Sequence, residues 1–346
     1  MGLEGMKGLL IMYVMVHHLS KMTSVPWITA AMHHGSVGVD PFFVLSGFVL
    51  MRSYIAHGAT FERGVGSYLR RRMGRLVPSY YAGLVFSCVV ASFTPFYIVN
   101  GDRMLWGSPS VAAIGVHLVF LQNVFQSTLR EINDNYWFFA MEVQLSLLFP
   151  VLAYVWKKTG AVAFVAVVAA AIAGWFAAFG PGSYFLKPEY LELFAGGMLL
   201  AAVDSSSQGR LSASRSWPWF AGFSVVLLSA IQLFRGEWID ENMVIFAADS
   251  AIGVVACCAI MMCMSPSATV FRSVMEHPYL CWLGSMSYVL FLIHTPILRV
   301  MQLGLLRGGV HGIVQFALLA TVGIACTCVC AIAFRNVVGR WAKPSR

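Results

Sequence analysis

Long apolar stretches, separated by short polar or basic ones, recur along the whole chain. Crossing a hydrocarbon layer of about 30 Å takes ~20 residues of helix. Runs of that order can be marked off ten times, at about 6–25, 36–56, 79–98, 136–156, 161–180, 189–203, 216–234, 245–264, 278–299 and 313–334. The pattern predicts an all-α, polytopic integral membrane protein with about ten transmembrane helices. The first run is short in strictly apolar terms, because only thirteen residues separate Lys7 from Lys21. Snorkelling by both lysines would lengthen it. No A-x-A-like cleavage site follows, so it is expected to stay as an uncleaved first helix. There is no internal repeat or low-complexity tract, and residues 1–346 are expected to form a single transmembrane domain with no soluble appendage.

Composition strengthens this picture. Of 346 residues, 59% are apolar or aromatic and 11% charged, against roughly 25% charged in a soluble domain. A soluble globule could not hide that much apolar surface behind so few polar side chains. The formal charge of +8 does not point to nucleic acid, because the 23 Lys and Arg punctuate apolar segments and form no polar module. The eight cysteines lie in or beside apolar runs without metal-ligand spacing, and they read as small membrane-core residues. No metal and no permanently bound cofactor is expected.

The stretch 107–126 is also apolar enough to cross. Charge counting decides against it. With ten helices and the N-terminus inside, 16 of the 23 Lys and Arg fall on the cytoplasmic side and 7 outside. A crossing at 107–126 would leave 12 inside and 11 outside and abolish the bias that orients membrane proteins. The stretch is therefore expected in the outer interface or as a re-entrant piece, with both termini cytoplasmic.

Ionisable groups at bilayer depth are costly and so are functional candidates. His17 and His18 lie in the first run, Asp40 near the outer end of the second, Glu142 in the fourth, Asp249 in the eighth and His294 in the ninth. The bland alternative is that each is a hydrogen-bonded group holding helices together, and Asp249 has no support for anything more. His17, His18, Asp40 and Glu142, however, converge on the same outer half of the layer.

The basic run 70–78 is either a topology signal or an anion site. Arg72 and Arg75 share a helical face and could grip one polyphosphate with forked donors, while Pro78 marks a helix start or kink. Lys7 and His18 stand eleven residues apart, roughly 16 Å along a helix. A cation at the inner face and an imidazole at mid-depth would suit a long donor with an anionic head and a reactive thioester tail. Histidine can take a hydroxyl proton near neutral pH, and Glu142 or Asp40 could fix its tautomer. Gly38, Ser46 and Gly47 allow close helix packing, which does not require Asp40.

Several segments together resemble the acyltransferase 3 family. The opening LEGMKGLLIMYVMVHH is similar to the family's start, with a basic residue followed eleven positions later by histidine, which selects Lys7 and His18. GVDPFFVLSGFVL resembles its second helix, with Asp40, Ser46 and Gly47. RRMGRLVPSYY resembles its Arg-x-x-Arg-x-x-Pro segment, with Arg72, Arg75 and Pro78. HLVFLQNVF, NYWFFAMEVQLSLLFP and YLELFAGGMLLA follow in family order, the second supplying Trp137 and Glu142. WLGSMSYVLFLIHTPIL is similar to its Ser-Tyr-x-x-Tyr-Leu-x-His-x-Pro pattern, with Ser287, Tyr288 and His294.

The resemblance implies ten helices in the inner, cytoplasmic membrane. It also implies acetyl-CoA or another acyl-CoA as donor substrate and O-acylation of a glycan or other hydroxyl acceptor. Under it His18, Glu142 and Asp40 are the catalytic candidates, and Lys7, Arg72 and Arg75 the donor-binding ones. Two features depart from the family: Lys7 stands where arginine is usual, losing the bidentate fork, and the ending FRNVVGRWAKP lacks the family glutamate. A rival reading is a proton-coupled exporter of an anionic small molecule or glycan precursor, with Asp40, Glu142 and His294 relaying protons. It lacks inverted repeats and paired broken helices. A purely structural or regulatory membrane protein is a third reading.

Overall fold

The structure is a computed structural model and describes residues 1–23, 25–32, 38–94, 96–99, 102–105, 109–125, 127–129, 131–179, 187–233 and 241–341. The helices are α1 (Gly2–Lys21), α2 (Pro26–Ala31), α3 (Asp40–Ala56), α4 (Gly64–Phe93), α5 (Val111–Leu118), α6 (Tyr136–Phe179) and α7 (Glu189–Ser206). They continue with α8 (Trp217–Leu233), α9 (Glu241–Met264), α10 (Thr269–Met275), α11 (Pro278–Arg307), α12 (Gly312–Leu318) and α13 (Ile324–Trp341), the last two joined by a π-turn over Leu319–Gly323. Each of the ten apolar runs lies largely on helix. Residues 24, 36–37, 95, 180 and 234 of these runs fall outside the described residues, as does the 342–344 part of the ending that departs from the family.

Among the described residues, five helical stretches are long and apolar enough to cross a membrane: Gly64–Phe93, Tyr136–Phe179, Val244–Met264, Pro278–Arg307 and Gly312–Gly339. Other runs are shorter. With 17 residues each, α3 and α8 reach only ~26 Å at 1.5 Å per residue. Helix α6 contains two of the predicted runs, separated by Gly160 with φ 77°. Only a residue without Cβ enters that left-handed region cheaply, so the chain breaks there.

The third run ends earlier than its apolarity suggested. Helix α4 stops at Phe93 because Pro95 follows and disfavours helical backbone in the residue before it. Residues 96–98 instead belong to β1 (Phe96–Val99), which pairs antiparallel with β2 (Asp102–Leu105). This ribbon is the departure from an all-α chain. The Asn-Gly pair at 100–101 between the strands is a hairpin signal, although it lies outside the described residues. At its other end α4 begins at Gly64, so the basic run 70–78 lies within a continuous helix that passes through Pro78. The helix-start reading of Pro78 is thereby removed. The 107–126 stretch contains the eight-residue α5, ~12 Å long and far short of a crossing.

The chain forms two compact units. One comprises Met1–Met6, Ser36–Arg70 and Gln144–Cys281, the other Lys7–Gly35, Arg71–Val143 and Trp282–Arg346. In the first, α3 lies close against α7: a Cβ on Gly47 would run into the Phe194 carbonyl, and one on Gly197 into that of Val44. Gly47 thus serves close helix packing. In the second, Tyr80 and Tyr81 of α4 donate to the carbonyls of His117 (3.3 Å) and Leu118 (2.7 Å), tying down α5. Gln122 donates to the Tyr136 carbonyl at 2.8 Å, and the Tyr136 and Ser87 hydroxyls meet at 2.9 Å. These bonds fix the start of α6 against α4.

Candidate functional site

The second unit holds most of the residues singled out in the sequence. Arg72 and Arg75 sit nearly one turn apart on α4, yet their surroundings differ. Arg72 is ion-paired with Glu142 of α6, and the two side chains are only 16% and 10% exposed. Arg75 is exposed and makes no hydrogen bond or ion pair among the described residues. The Tyr288 hydroxyl of α11 donates to the Leu76 carbonyl at 2.7 Å, and its ring meets Phe139 edge-on with centroids 5.1 Å apart. One guanidinium is therefore built in, and the next along the helix is available to an anion. Lys7, on α1, is half-buried, as is Trp137 at the start of α6, while Ser287 is buried on α11.

A second cluster is made of imidazoles. His18 is half-buried and makes no hydrogen bond among the described residues. Its ring lies between His17, with centroids 5.4 Å apart, and His294 of α11, at 5.2 Å. Its two neighbours are differently committed. The Nδ1 of His17 lies 2.6 Å from the Met32 carbonyl that closes α2. His294 is fully buried, with Nδ1 at 2.9 Å and 3.1 Å from the carbonyls of Leu290 and Phe291 and Nε2 at 3.2 Å from the Asn135 amide nitrogen. Lys21 and Arg299 also bear electrostatically on His18, and Arg299 is paired with Asp134 at 2.7 Å. Gln302 of α11 donates to the Met22 carbonyl at 2.6 Å, locking the end of α1 to the helix that carries His294.

Both clusters are strung on the same helices. Tyr288 and His294 are six residues apart on α11, or ~9 Å along the axis. Seven residues separate Asn135 from Glu142, or ~10 Å. A cationic end and an imidazole end are thus held apart by rigid helix.

The sequence offered Glu142 and Asp40 as carboxylates for the imidazole. In the structure Glu142 receives Arg72, and Asp40, in the first unit, lies beside Asp249. Both aspartates are buried, at 0% and 2% exposure. Lys187, just ahead of α7, is their counter-charge and forms an ion pair with Glu189 at 3.2 Å. Burial alone would lower the Lys187 pKa, but Glu189, Asp249 and Asp40 outweigh it and hold the ammonium above its ordinary range. Asp40 and Asp249 therefore form one acid pair. Ser46 is half-buried one residue before Gly47 on α3.

The order of these elements matches a known family from end to end: the model of the acyltransferase 3 family, described as an acyltransferase domain, covers residues 2–335. The chain belongs to that family. With five helical stretches among the described residues long and apolar enough to span a bilayer, this acyltransferase-family chain is a membrane protein. It is similar to the O-acetyltransferase OatA of Staphylococcus aureus strain NCTC 8325 / PS 47, at 25% identity over 324 residues, 86% of this chain and 50% of the relative. The same figures hold for OatA of strain COL. A putative O-acetyltransferase of strain COL, SACOL0978, is 26% identical over 165 residues, 44% of this chain and 24% of that protein. The chain spans about half the length of the OatA relatives it matches. No solved structure matches it.

Sequence reading missed Asn135, Asp134 and Arg299 in this family member. Arg299 counts as an outer-side charge in the topology argument, whereas it is 2% exposed and paired. The available signal was the polar triplet Asn133-Asp134-Asn135 immediately before the apolar run of α6.

Proposed function

We propose that the chain is a membrane O-acyltransferase that moves an acetyl or other short acyl group from cytoplasmic acyl-CoA to a hydroxyl of a cell-surface or lipid-linked glycan. The observation that carries this reading is His18: an imidazole with no hydrogen bond among the described residues, between two histidines that each have one. A base must be free to meet its substrate. Family membership supports acyl transfer, and the relatives' names support acetyl as the group transferred.

In the proposed reaction His18 takes the proton of the acceptor hydroxyl as its oxygen attacks the thioester carbonyl. The tetrahedral adduct collapses, the C–S bond breaks, and the new ester C–O bond remains. The imidazolium returns its proton to the leaving thiolate, which departs as the free thiol. Arg75 and Lys7 hold the anionic head of the donor, and Arg72, ion-paired with Glu142, fixes α4 against α6 beside them. About ten crossings in the inner membrane, with both termini cytoplasmic, would put this cationic end at the inside and the imidazoles toward the acceptor.

Detergent-purified protein given acetyl-CoA tests the reading. Slow release of free thiol or acyl exchange, lost in His18→Gln, is the expected result. Transport of an anionic solute into vesicles without any thiol release would overturn it in favour of an exporter.

A further inference from the structure

His294 sits where a second base would be expected, yet every atom of its ring that can bond is already engaged. Two backbone carbonyls, of Leu290 and Phe291, face Nδ1 at 2.9 Å and 3.1 Å. Carbonyl oxygens only accept, so Nδ1 carries a proton. On the other side Nε2 faces the Asn135 side-chain nitrogen at 3.2 Å. An amide NH2 only donates, so Nε2 offers its lone pair. The same NH2 group also donates to the Thr295 hydroxyl, and the Asn135 backbone N–H is held by the Asn133 side-chain oxygen at 3.1 Å. The side-chain amide thus meets His294 and Thr295, while Asn133 holds the backbone beneath it. Turning it over would point its oxygen at Nε2, which would then need a proton of its own, leaving a buried imidazolium.

We infer that Asn135 is a positioning residue that acts through His294, locking it as a neutral imidazole protonated at Nδ1 beside the base His18. This deepens the acyl-transfer reading and rests on His18 as base. The need for such a lock follows from the fixed charges that bear on His18, Lys21 from its own helix and Arg299 from α11, the latter paired with Asp134. When His18 holds the proton taken from the acceptor, it becomes a further cation beside them. A second imidazolium with its centroid 5.2 Å away would oppose that step directly. Keeping His294 neutral, with its Nε2 lone pair engaged by Asn135, leaves His18 to hold the proton until the leaving thiolate takes it.

The test is a tautomer measurement joined to kinetics. Protein labelled with 15N-histidine and reconstituted in vesicles is studied by solid-state NMR, the His294 signals being assigned by their loss in His294→Gln. The expected spectrum at neutral pH shows His294 protonated at Nδ1 and bare at Nε2. Asn135→Asp replaces the donor with an acceptor, so both nitrogens should become protonated. Its kcat for acetyl-CoA thiol release should fall ~10–100-fold, less than the ~10²–10⁴-fold expected of losing a general base, while the acetyl-CoA KM stays within about twofold.

A wild-type His294 protonated at Nε2, or at both nitrogens, overturns the inference, and that result does not depend on any variant folding. So does a parental kcat in Asn135→Asp. His18→Gln separates the two layers of argument. If it remains active, the base assignment fails. If it is inactive while Asn135→Asp turns over normally, only the lock fails.

Discussion

Arg72 and Glu142, seventy residues apart in the chain, form a largely buried ion pair that ties α4 to α6. Opposite charges that are screened this well from water are costly to separate. Arg72→Ala and Glu142→Gln should therefore each destabilise the protein by ~3–5 kcal/mol, the range for breaking a buried pair. The double variant should lose less than the sum. Thermal unfolding of all three in one detergent checks this through a double-mutant cycle, and strict additivity would show that the pair carries no coupling.

Arg75 should behave oppositely. It is exposed and unpartnered among the described residues, so Arg75→Ala should leave the unfolding temperature unchanged. Acyl-CoA binding should weaken by ~1.5–3 kcal/mol, as expected for a lost charged hydrogen bond. Equal acyl-CoA affinity in Arg75→Ala and parent, measured by titration calorimetry, would reduce the residue to a topology signal.

What the sequence made legible followed physical periodicity, and what it hid depended on three-dimensional pairing. The long apolar runs are visible because membrane-spanning helices must be apolar along their length, and each lies largely on helix in the described residues. The early end of α4 and the ribbon after it were written in Pro95 and the Asn-Gly pair at 100–101, local signals that apolarity masked. The partner of Arg72 was not legible, because nothing in a one-dimensional pattern says which of two carboxylates a guanidinium will find. Asp249 had no support in the sequence beyond a structural role, because its neighbour, Asp40, comes from a distant helix. Asn135 was missed because its target is 159 residues away.

His17 and His18 should separate stability from chemistry. The Nδ1–H of His17 closes on the Met32 carbonyl at 2.6 Å, and the residue is 6% exposed. His17→Ala should cost ~1–3 kcal/mol for the unpaired carbonyl and leave the per-molecule rate of thiol release within a few-fold of parental. His18→Gln should unfold at the parental temperature and lose most turnover. Comparing specific activity with unfolding temperature for both variants decides it, and the reverse pattern would move the base to His17.

Lys187 gives a prediction with a defined pH sign. Its pKa in the folded chain lies above the ordinary value of 10.5 because Glu189, Asp249 and Asp40 overcome the cost of its burial. A group whose pKa is raised by folding contributes its full stabilisation below the unfolded value and loses it as pH climbs through the folded one. The contribution should therefore be constant from pH 6 to 9 and decline only above about 10.5. Lys187→Met removes the counter-charge from the buried acid cluster and should destabilise by ~3 kcal/mol at pH 9, where the need for that counter-charge is greatest, and by no more than that at pH 6. Adding Asp249→Asn should recover part of the loss, because fewer buried acids then need compensation. Unfolding curves at the two pH values provide the check. A loss confined to the acid end, or none at all, would mean that Lys187 does not neutralise this cluster and that the acid pair is stabilised by some other group.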